Sequence, residues 1–470
     1  MKHRLTPIKS TSAEVSLIRV IGEIYGSSSS LNPQLPKSTM STVARCAVVA
    51  LAAALIAGCV FLTLPASAQN SRAKAKKVTG SQSNLAAEEA RHGDWSRWRG
   101  PNGDGISLET GLLDSWPAEG PPLTWRVNGL GGGYASVAVV SGKIYTLGKI
   151  RDKTYLHCRK VEDGSEIWKS QVGSGGDLFC CQTESGSLVW TKNYGRDFGV
   201  DGTPGWGFAE SPLVDGDRLV CTPGNNESLL ACLDKKTGEA IWKTNVEPGR
   251  LGNRGHDGAG YASIVISHAA GVKQYVTLTG KALVGVDAAT GKLLWAYDRV
   301  ANGTASIPTP IVEGDYVFAS SGYGTGSALV KLNRSRTGVD AEEVYFLSGN
   351  IMQNHHGGMI FKDGFVYCGE GHNEGFPLCI NSETGKDAWR PGRGPGSGSA
   401  AVAYADGDLY FRYQDGTMAL IEATPKAYKL KGKFKIASHN GESWPHPVVA
   451  GGKLYLRDQD ELLCYDIKKH

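Results

Sequence analysis

The stretch that decides the fold is CLDKKTGEAIW, residues 232–242, because the same eleven-residue pattern occurs at four other places in the chain. The other copies are CRKVEDGSEIW (158–168), CCQTESGSLVW (180–190), GVDAATGKLLW (285–295) and CINSETGKDAW (379–389). In every copy a glycine stands four residues before the final tryptophan. Internal self-similarity is the signature of a repeat architecture, so the motif organises the interpretation of the whole chain.

A second series of short apolar runs lies between the copies of the first. SPLVDGDRLV (211–220), TPIVEGDYVF (309–318) and HPVVAGGKLY (446–455) each place a glycine-containing turn between two strand-like segments. Such turns predict β-hairpins, because the favoured two-residue turns need positive φ. Each unit is therefore predicted to contain a hairpin of strands A and B, then strand C, a tight turn and a tryptophan-bearing strand D. Four strands in a repeat of about 50 residues are typical of a propeller blade.

The units number eight, and both ends of the repeat region contribute to the last one. That unit has strand C at Leu462 to Asp466, and the segment LTWRV (123–127), which carries Trp125, supplies its strand D. Trp168 and Trp190 are 22 residues apart, whereas the next two intervals are 52 and 53 residues. The predicted fold is an all-β propeller of eight four-stranded blades, closed by an N-terminal strand, in which blade two lacks its A–B hairpin. Seven effective blades are the alternative.

The composition agrees with many tight turns and argues against nucleic-acid binding. Glycine accounts for 62 of 470 residues, about twice its usual share. The net charge of +4 comes from residues 1–68, which hold six Lys/Arg and two Asp/Glu, so the remainder of the chain is neutral. A neutral body lacks the basic face that neutralises phosphates.

The N-terminal part is predicted to lie outside the propeller, which spans residues 94–470. Residues 1–39 lack periodicity and are interpreted as disordered or as a mis-assigned start. Residues 40–68 combine a charged segment, an apolar run and an Ala-Ser-Ala site, which predicts a signal peptide and export to the periplasm or the exterior. Residues 69–93 are predicted to be a flexible linker. A membrane anchor and a lipoprotein attached through Cys59 are the open alternatives.

The eleven-residue motif resembles the tryptophan-docking motif of quinoproteins that use pyrroloquinoline quinone (PQQ) and of the BamB type of outer-membrane assembly lipoprotein. In those families the first position is small, the seventh is glycine, and the tryptophan packs on a neighbouring blade. Here the first position is cysteine at Cys158, Cys180, Cys232, Cys379 and, in a truncated copy, Cys464. Because cysteine packs as a small hydrophobe and separate blades are too far apart for bridging, these residues are predicted to be buried thiols.

Beyond the motif, the chain is similar to an exported family of PQQ-repeat propeller proteins of planctomycete-type bacteria. The resemblance covers nearly all of residues 94–470. It rests on WSRWRGPNGDGIS (95–107), GWGFAESPLVDGD (205–217), ANGTASIPTP (301–310), NHHGG (354–358) and WPHPVVAGGKLYLRDQDELLCYD (444–466). Members are named BamB-like or polyvinyl-alcohol-dehydrogenase-like, so the resemblance implies architecture more than activity.

The candidate binding residues come from the channel mouth, where the loops between strand D of one blade and strand A of the next converge. Polar and aromatic side chains at that position would face one funnel. They are Tyr134, Glu210, Tyr261, Asn302, His355, His356, Trp444 and His446, with Arg254 and His256 in the loop that leads into blade four. A role in loop structure or packing is the alternative for each of them.

Two functions follow from the resemblance. The first is a non-catalytic exported scaffold, BamB-like, that binds a protein, a small molecule or a polymer. The second is a PQQ- and Ca²⁺-dependent alcohol dehydrogenase, which needs carboxylate and amide ligands for the metal and a carboxylate base. Glu210 and Asn302 are candidates, but the sequence shows no convincing second carboxylate and no Cys-x-x-Cys-His haem motif. We therefore expect binding rather than catalysis, and we assign no metal ligands.

Overall fold

The computed structural model describes residues 93–255, 258–336, 338–439 and 441–470. The predictions for residues 1–92 and for the candidate His256 therefore lie outside the described residues. Within those residues, no helix has both the length and the apolar character needed to cross a membrane.

The described chain consists almost entirely of short strands. In chain order they are β1 (Leu123–Val127), β2 (Ala138–Val140), β3 (Lys143–Ile150), β4 (Lys153–Lys160), β5 (Glu166–Gly173), β6 (Asp177–Cys181), β7 (Leu188–Asn193), β8 (Leu213–Asp215), β9 (Arg218–Cys221), β10 (Ala231–Asp234), β11 (Ala240–Lys243), β12 (Val265–Ser267), β13 (Gln274–Leu278), β14 (Leu283–Asp287), β15 (Leu293–Tyr297), β16 (Ile311–Glu313), β17 (Tyr316–Ser321), β18 (Gly326–Arg334), β19 (Val339–Ser348), β20 (Met359–Lys362), β21 (Phe365–Glu370), β22 (Phe376–Asn381), β23 (Asp387–Trp389), β24 (Ala400–Ala405), β25 (Asp408–Tyr413), β26 (Thr417–Glu422), β27 (Leu430–Lys435), β28 (Val448–Ala450), β29 (Lys453–Asp458) and β30 (Glu461–Asp466). A short helix, α1, spans Tyr194–Phe198, and a 3₁₀ turn spans Ala269–Gly271.

The described strands form seven four-stranded antiparallel sheets and one two-stranded sheet. Six of the four-stranded sheets follow chain order, from β2–β5 through β24–β27. The first strands of successive sheets contact each other, as β12 does with β16 and β16 with β20, so these strands lie innermost. The predicted β-propeller of four-stranded blades is confirmed.

The second unit consists of two strands only, β6 and β7, which pair with Cys180 opposite Trp190. These strands are its C and D strands, so the predicted absence of the A–B hairpin is confirmed. After β7 the chain enters α1, where the side chain of Asn193 accepts hydrogen bonds from the N–H groups of Gly195 and Arg196. This cap begins the connection that leads to β8 and the next complete sheet.

The last sheet is closed by the N-terminal strand. Its order is β1–β30–β29–β28, and the antiparallel pairing places Trp125 opposite Cys464. The closing role predicted for Trp125's strand is confirmed. Closure in this way covers the edge of β30 and completes a four-stranded sheet from the two ends of the repeat region.

Four docking tryptophans pack on the turn glycine of the next unit. These glycines have φ between +70° and +76°, and a Cβ built on them would lie only 2.5–2.8 Å from the indole ring. The pairs are Trp125 with Gly164, Trp168 with Gly186, Trp190 with Gly238 and Trp242 with Gly291. In the first three pairs the indole N–H also donates to a backbone carbonyl of the same turn, at 3.0–3.1 Å. The motif therefore joins neighbouring sheets through both packing and hydrogen bonds.

Five of the eight cysteines in the described residues lie directly opposite docking tryptophans. The pairs are Cys158 with Trp168, Cys180 with Trp190, Cys232 with Trp242, Cys379 with Trp389 and Cys464 with Trp125. All eight cysteines in the described residues are buried, unpaired thiols. Burial raises the pKa of Cys180 to about 11, so its thiol stays protonated at neutral pH. The prediction of buried packing cysteines is confirmed.

Candidate functional site

A cavity of about 380 Å³ lies at one end of the ring. Its walls come from the loops that precede the innermost strands and from the turns between the second and third strands of a sheet. In an antiparallel sheet these two kinds of connection lie at the same end. Ten of the 22 described lining residues carry rings: Trp98, Tyr134, Trp206, Tyr261, Tyr323, His355, His356, His372, Trp444 and His446.

Five of these rings form a continuous arc along the wall. Tyr134 packs on Trp444 with their ring centroids 4.4 Å apart, and Trp444 packs on His356 at 5.1 Å. His356 lies 4.6 Å from His355, which in turn lies 4.2 Å from His372. Contacts at these separations are favourable aromatic pairs. The arc offers a ligand a nearly continuous apolar surface.

The cavity histidines are uncharged at neutral pH. Burial lowers the pKa of His355 to about 4 and that of His446 to about 3, and it lowers the pKa of His356 well below its usual value. The imidazolium form loses its hydration in such surroundings, and neighbouring positive groups disfavour it further. Neutral imidazoles are also the form that binds metals, yet the described residues contain no group of three or more His, Cys, Asp or Glu arranged to hold a metal ion.

Six of the sequence-predicted residues line the cavity. They are Tyr134, Tyr261, His355, His356, Trp444 and His446. His446 is held by two neighbours: Trp98 packs on it at 4.5 Å between ring centroids, and its Nε2 lies 3.3 Å from the carbonyl oxygen of His356.

Glu210 belongs to the same loop but does not line the cavity. Its neighbours Ala209 and Ser211 are wall residues, whereas the Glu210 side chain points into the protein. There Oε1 accepts hydrogen bonds from the hydroxyl of Tyr194 at 2.7 Å and the N–H of Thr222 at 2.6 Å. Burial raises the pKa of Glu210, because the charged carboxylate is desolvated.

Asn302 and Arg254 also lie outside the cavity wall. The side chain of Asn302 organises its own loop by donating to Ala305 and Ser321 and by accepting from the N–H groups of Thr304 and Ala305. Arg254 is 55% exposed and lies 3.9 Å from Asp298. The structure therefore brings together the histidine and aromatic candidates, and it separates from them the three polar candidates described.

The sequence reasoning missed Trp206 in a D-to-A loop, and it missed lining residues outside those loops of two further kinds. Tyr323, His372, Asn373 and Gln414 occupy turns between second and third strands, while Trp98 and Arg99 belong to the segment before β1. The alternation of antiparallel strands could have indicated the first group, because these turns share an end with the D-to-A loops. Nothing in the repeat marks the second group.

Solved propeller structures have the same fold. The quinohaemoprotein alcohol dehydrogenase ADHIIG from Pseudomonas putida HK5 is 13% identical, with a TM-score of 0.56 over 80% of this chain and 81% of that one. The quinohaemoprotein alcohol dehydrogenase from Comamonas testosteroni is 13% identical, with a TM-score of 0.55 over 81% of each chain. BamB from Moraxella catarrhalis is 12% identical, with a TM-score of 0.51 over 71% of this chain and 96% of that one. At such identities the likeness concerns the fold alone.

The cavity does not fit the PQQ–Ca²⁺ pair that a quinoprotein needs. Ca²⁺ takes six to eight oxygen ligands, several of them from carboxylates. Among the described lining residues, Glu442 supplies the single carboxylate, and this residue is exposed. PQQ is a tricarboxylate, whereas Arg99 is the single cationic residue in the described lining.

The sequence comparison supports the same architecture. No curated protein matches this sequence. Residues 116–391 match the PQQ_2 family, described as outer membrane protein assembly factor BamB. This match covers more than half of the chain, and it includes all five complete copies of the docking motif. The chain belongs to this BamB-like family of PQQ-repeat β-propellers.

Proposed function

We propose that this protein is an exported, non-catalytic binding propeller that takes its ligand in the cavity at the D-to-A loop end. The observation that carries the proposal is the composition of the wall: ten of its 22 described residues carry aromatic rings, and the single carboxylate among them, Glu442, is exposed. Sites for small ligands and for inserted side chains of a protein are mostly apolar, with few polar groups that fix orientation. The ligand is a small molecule, a polymer segment or part of a partner protein.

The orientation of Glu210 supports binding over alcohol oxidation. A general base must reach the proton that it removes. The Glu210 carboxyl is instead directed at Tyr194 and Thr222, behind the cavity wall. The PQQ- and Ca²⁺-dependent dehydrogenase, the alternative function, therefore lacks its candidate base at the cavity.

The location of the protein is part of the proposal. The predicted signal peptide at residues 40–68 and the family description as an outer membrane assembly factor both favour export. Residues 94–470 then form the exported propeller and residues 69–93 its tether, with attachment through Cys59 or an uncleaved apolar run as the alternatives.

A quinone-retention experiment tests the proposal. The purified protein is incubated with PQQ and Ca²⁺, desalted, examined for quinone absorbance, and assayed for dye reduction with primary and secondary alcohols. We expect no retained quinone and no dye reduction. Stoichiometric quinone retention, with alcohol-dependent dye reduction that Glu210→Gln abolishes, would establish the dehydrogenase instead.

A further inference from the structure

Arg99 places a buried positive charge in the wall of the cavity. Its side chain lines the cavity, and the residue is only 4% exposed. Nη2 donates to the backbone carbonyls of Asp104 and Met359, but Nε and Nη1 have no hydrogen-bond partner within the described parts of the chain. The Asp104 carboxylate acts on the guanidinium only through space, since its Oδ1 accepts the N–H of Ile106 at 2.9 Å. The guanidinium of Arg99 therefore keeps two donor atoms without a hydrogen-bond partner among the described residues.

Other unpaired polar atoms lie beside this charge. Trp98 Nε1 and both ring nitrogens of His356 are buried without a partner among the described residues, and both residues line the same cavity as Arg99. We call Trp98, Arg99, His356, Gly358 and His446 the basic corner. Buried donors are normally satisfied, and an unpaired buried charge is strongly unfavourable. A ligand with acceptor oxygens would satisfy the donors of Arg99 and Trp98 and the one ring N–H that neutral His356 carries.

Gly358 lets the backbone approach Arg99 and His446 closely. A Cβ at this position would lie 2.8 Å from Arg99 Nη1 and 2.8 Å from His446 Cε1. The residue also has φ +69°, a conformation that side chains disfavour. Both observations indicate that only glycine fits at this position beside the guanidinium.

The charges that face the cavity favour a ligand with one negative charge. Arg99 is its single described cation, the histidines are neutral, and the one carboxylate, Glu442, is exposed. Nε and Nη1 of Arg99 can each donate to an oxygen of an anion, whereas Nη2 already donates to the carbonyls of Asp104 and Met359. A molecule with three carboxylates would bring two charges that nothing in the described wall compensates.

We infer that the basic corner binds the oxyanion of a singly charged acid, whose flat apolar body packs on the rings of the cavity. The inference rests on the proposed function, because it names the ligand class for the same site. An aromatic carboxylate and a sugar acid share this chemistry, since both carry one carboxylate on a body with apolar faces.

Binding of matched probes to the unaltered protein tests the inference. Tryptophan fluorescence and calorimetry are used to compare benzoate with uncharged benzamide, and methyl glucuronoside with uncharged methyl glucoside. A hydrogen bond to a charged group contributes about 1.5–3 kcal/mol, so we expect the acid of one pair to bind roughly 10- to 100-fold more tightly than its neutral analogue. The pair that shows the preference identifies the body of the ligand.

Three variants assign the preference to Arg99. Arg99→Gln is expected to abolish the difference between acid and neutral analogue, and Arg99→Lys, which keeps the charge, to retain part of it. Arg254→Gln is the matched control, because Arg254 is exposed and lies outside the cavity wall. Near-ultraviolet circular dichroism and thermal melting establish that each variant is folded, and the comparison within the unaltered protein does not depend on them.

The outcomes separate the inference from the proposed function. Neutral analogues that bind as tightly as the acids would overturn the inference and leave the cavity as a ligand site. An acid preference that survives Arg99→Gln in a folded protein would overturn it too. Failure of all four probes would overturn the inference, and quinone retention would overturn the proposed function itself.

Discussion

The turn glycine of the docking motif combines a positive φ with close packing on a tryptophan, whereas a hairpin glycine has the positive φ alone. Gly238 has φ +73°, and a Cβ there would lie 2.7 Å from the ring of Trp190. Gly216, in the hairpin between β8 and β9, has φ +62°, but a Cβ there would have no atom within 4 Å. Gly216 thus needs only the left-handed conformation, whereas Gly238 also needs the space.

Alanine substitution at these two glycines measures the packing contribution. Gly216→Ala should lower the free energy of unfolding by about 1–2 kcal/mol, the cost of a left-handed L-residue. Gly238→Ala should lose a further 1–3 kcal/mol, roughly, because the new methyl group displaces the indole. Urea denaturation followed by circular dichroism gives both values. Equal losses would show that the tryptophan is not held against this turn.

Copies of the docking motif do not all make the same hydrogen bonds, so the motif alone does not predict the partner of each tryptophan. Trp190 Nε1 donates to Lys235 O, but Trp242 Nε1 has no partner among the described residues. The carbonyl that would correspond, that of Ala288, accepts from Arg218 instead. Because Arg218 lies outside the motif, the repeat alone cannot indicate this exchange.

The arrangement of the strands could be predicted closely from the sequence, because the intervals between docking tryptophans indicate how many strands each unit contains. The interval between Trp168 and Trp190 indicated a sheet of two strands, and the strand of Trp125 was matched to the incomplete last unit; the structure shows both features. The site was less predictable. It includes Tyr323 and His372, which lie in turns between second and third strands, and Arg99, which lies outside the repeats.

The closing strand offers a prediction at the scale of one element. Trp125→Ala removes the indole that packs on Gly164 and donates to Val161 O, so β1 loses its attachment to the first sheet. We expect a loss of up to about 3 kcal/mol and faster hydrogen–deuterium exchange in β30, the partner of β1.

Trp389→Ala is the matched control for this experiment. Trp389 ends the sheet β20–β23 and donates to Thr424 O in the next sheet. Its removal should speed exchange in β22 and leave β30 unchanged. If β30 exchanges at the wild-type rate in Trp125→Ala, the closing strand does not protect the last sheet.

At the scale of the whole molecule, the buried histidines make stability depend on pH. His355 and His446 have pKa values lowered to about 4 and about 3, His446 partly through the charges of Arg99 and Arg412. In the unfolded chain a histidine takes up its proton near pH 6.5. The neutral form therefore stabilises the fold above that pH, and this contribution is lost as the pH falls towards the folded values.

The melting temperature should accordingly fall between pH 6.5 and pH 4. His446→Gln should show a shallower fall, because one of the protonating groups is gone, whereas the exposed His268→Gln should follow the wild type. Differential scanning calorimetry across this range measures the three curves. Parallel curves for His446→Gln and wild type would assign the acid sensitivity to groups other than His446.

The two-stranded second sheet also bears on what links neighbouring sheets. It retains the outer pair, Cys180 opposite Trp190, and the stacking of Trp168 on Gly186, while the inner hairpin is missing. The contacts of Trp168 with Gly186 and of Trp190 with Gly238 thus continue through a unit that has no inner strands, so the link between neighbouring sheets does not require the inner hairpin of every unit.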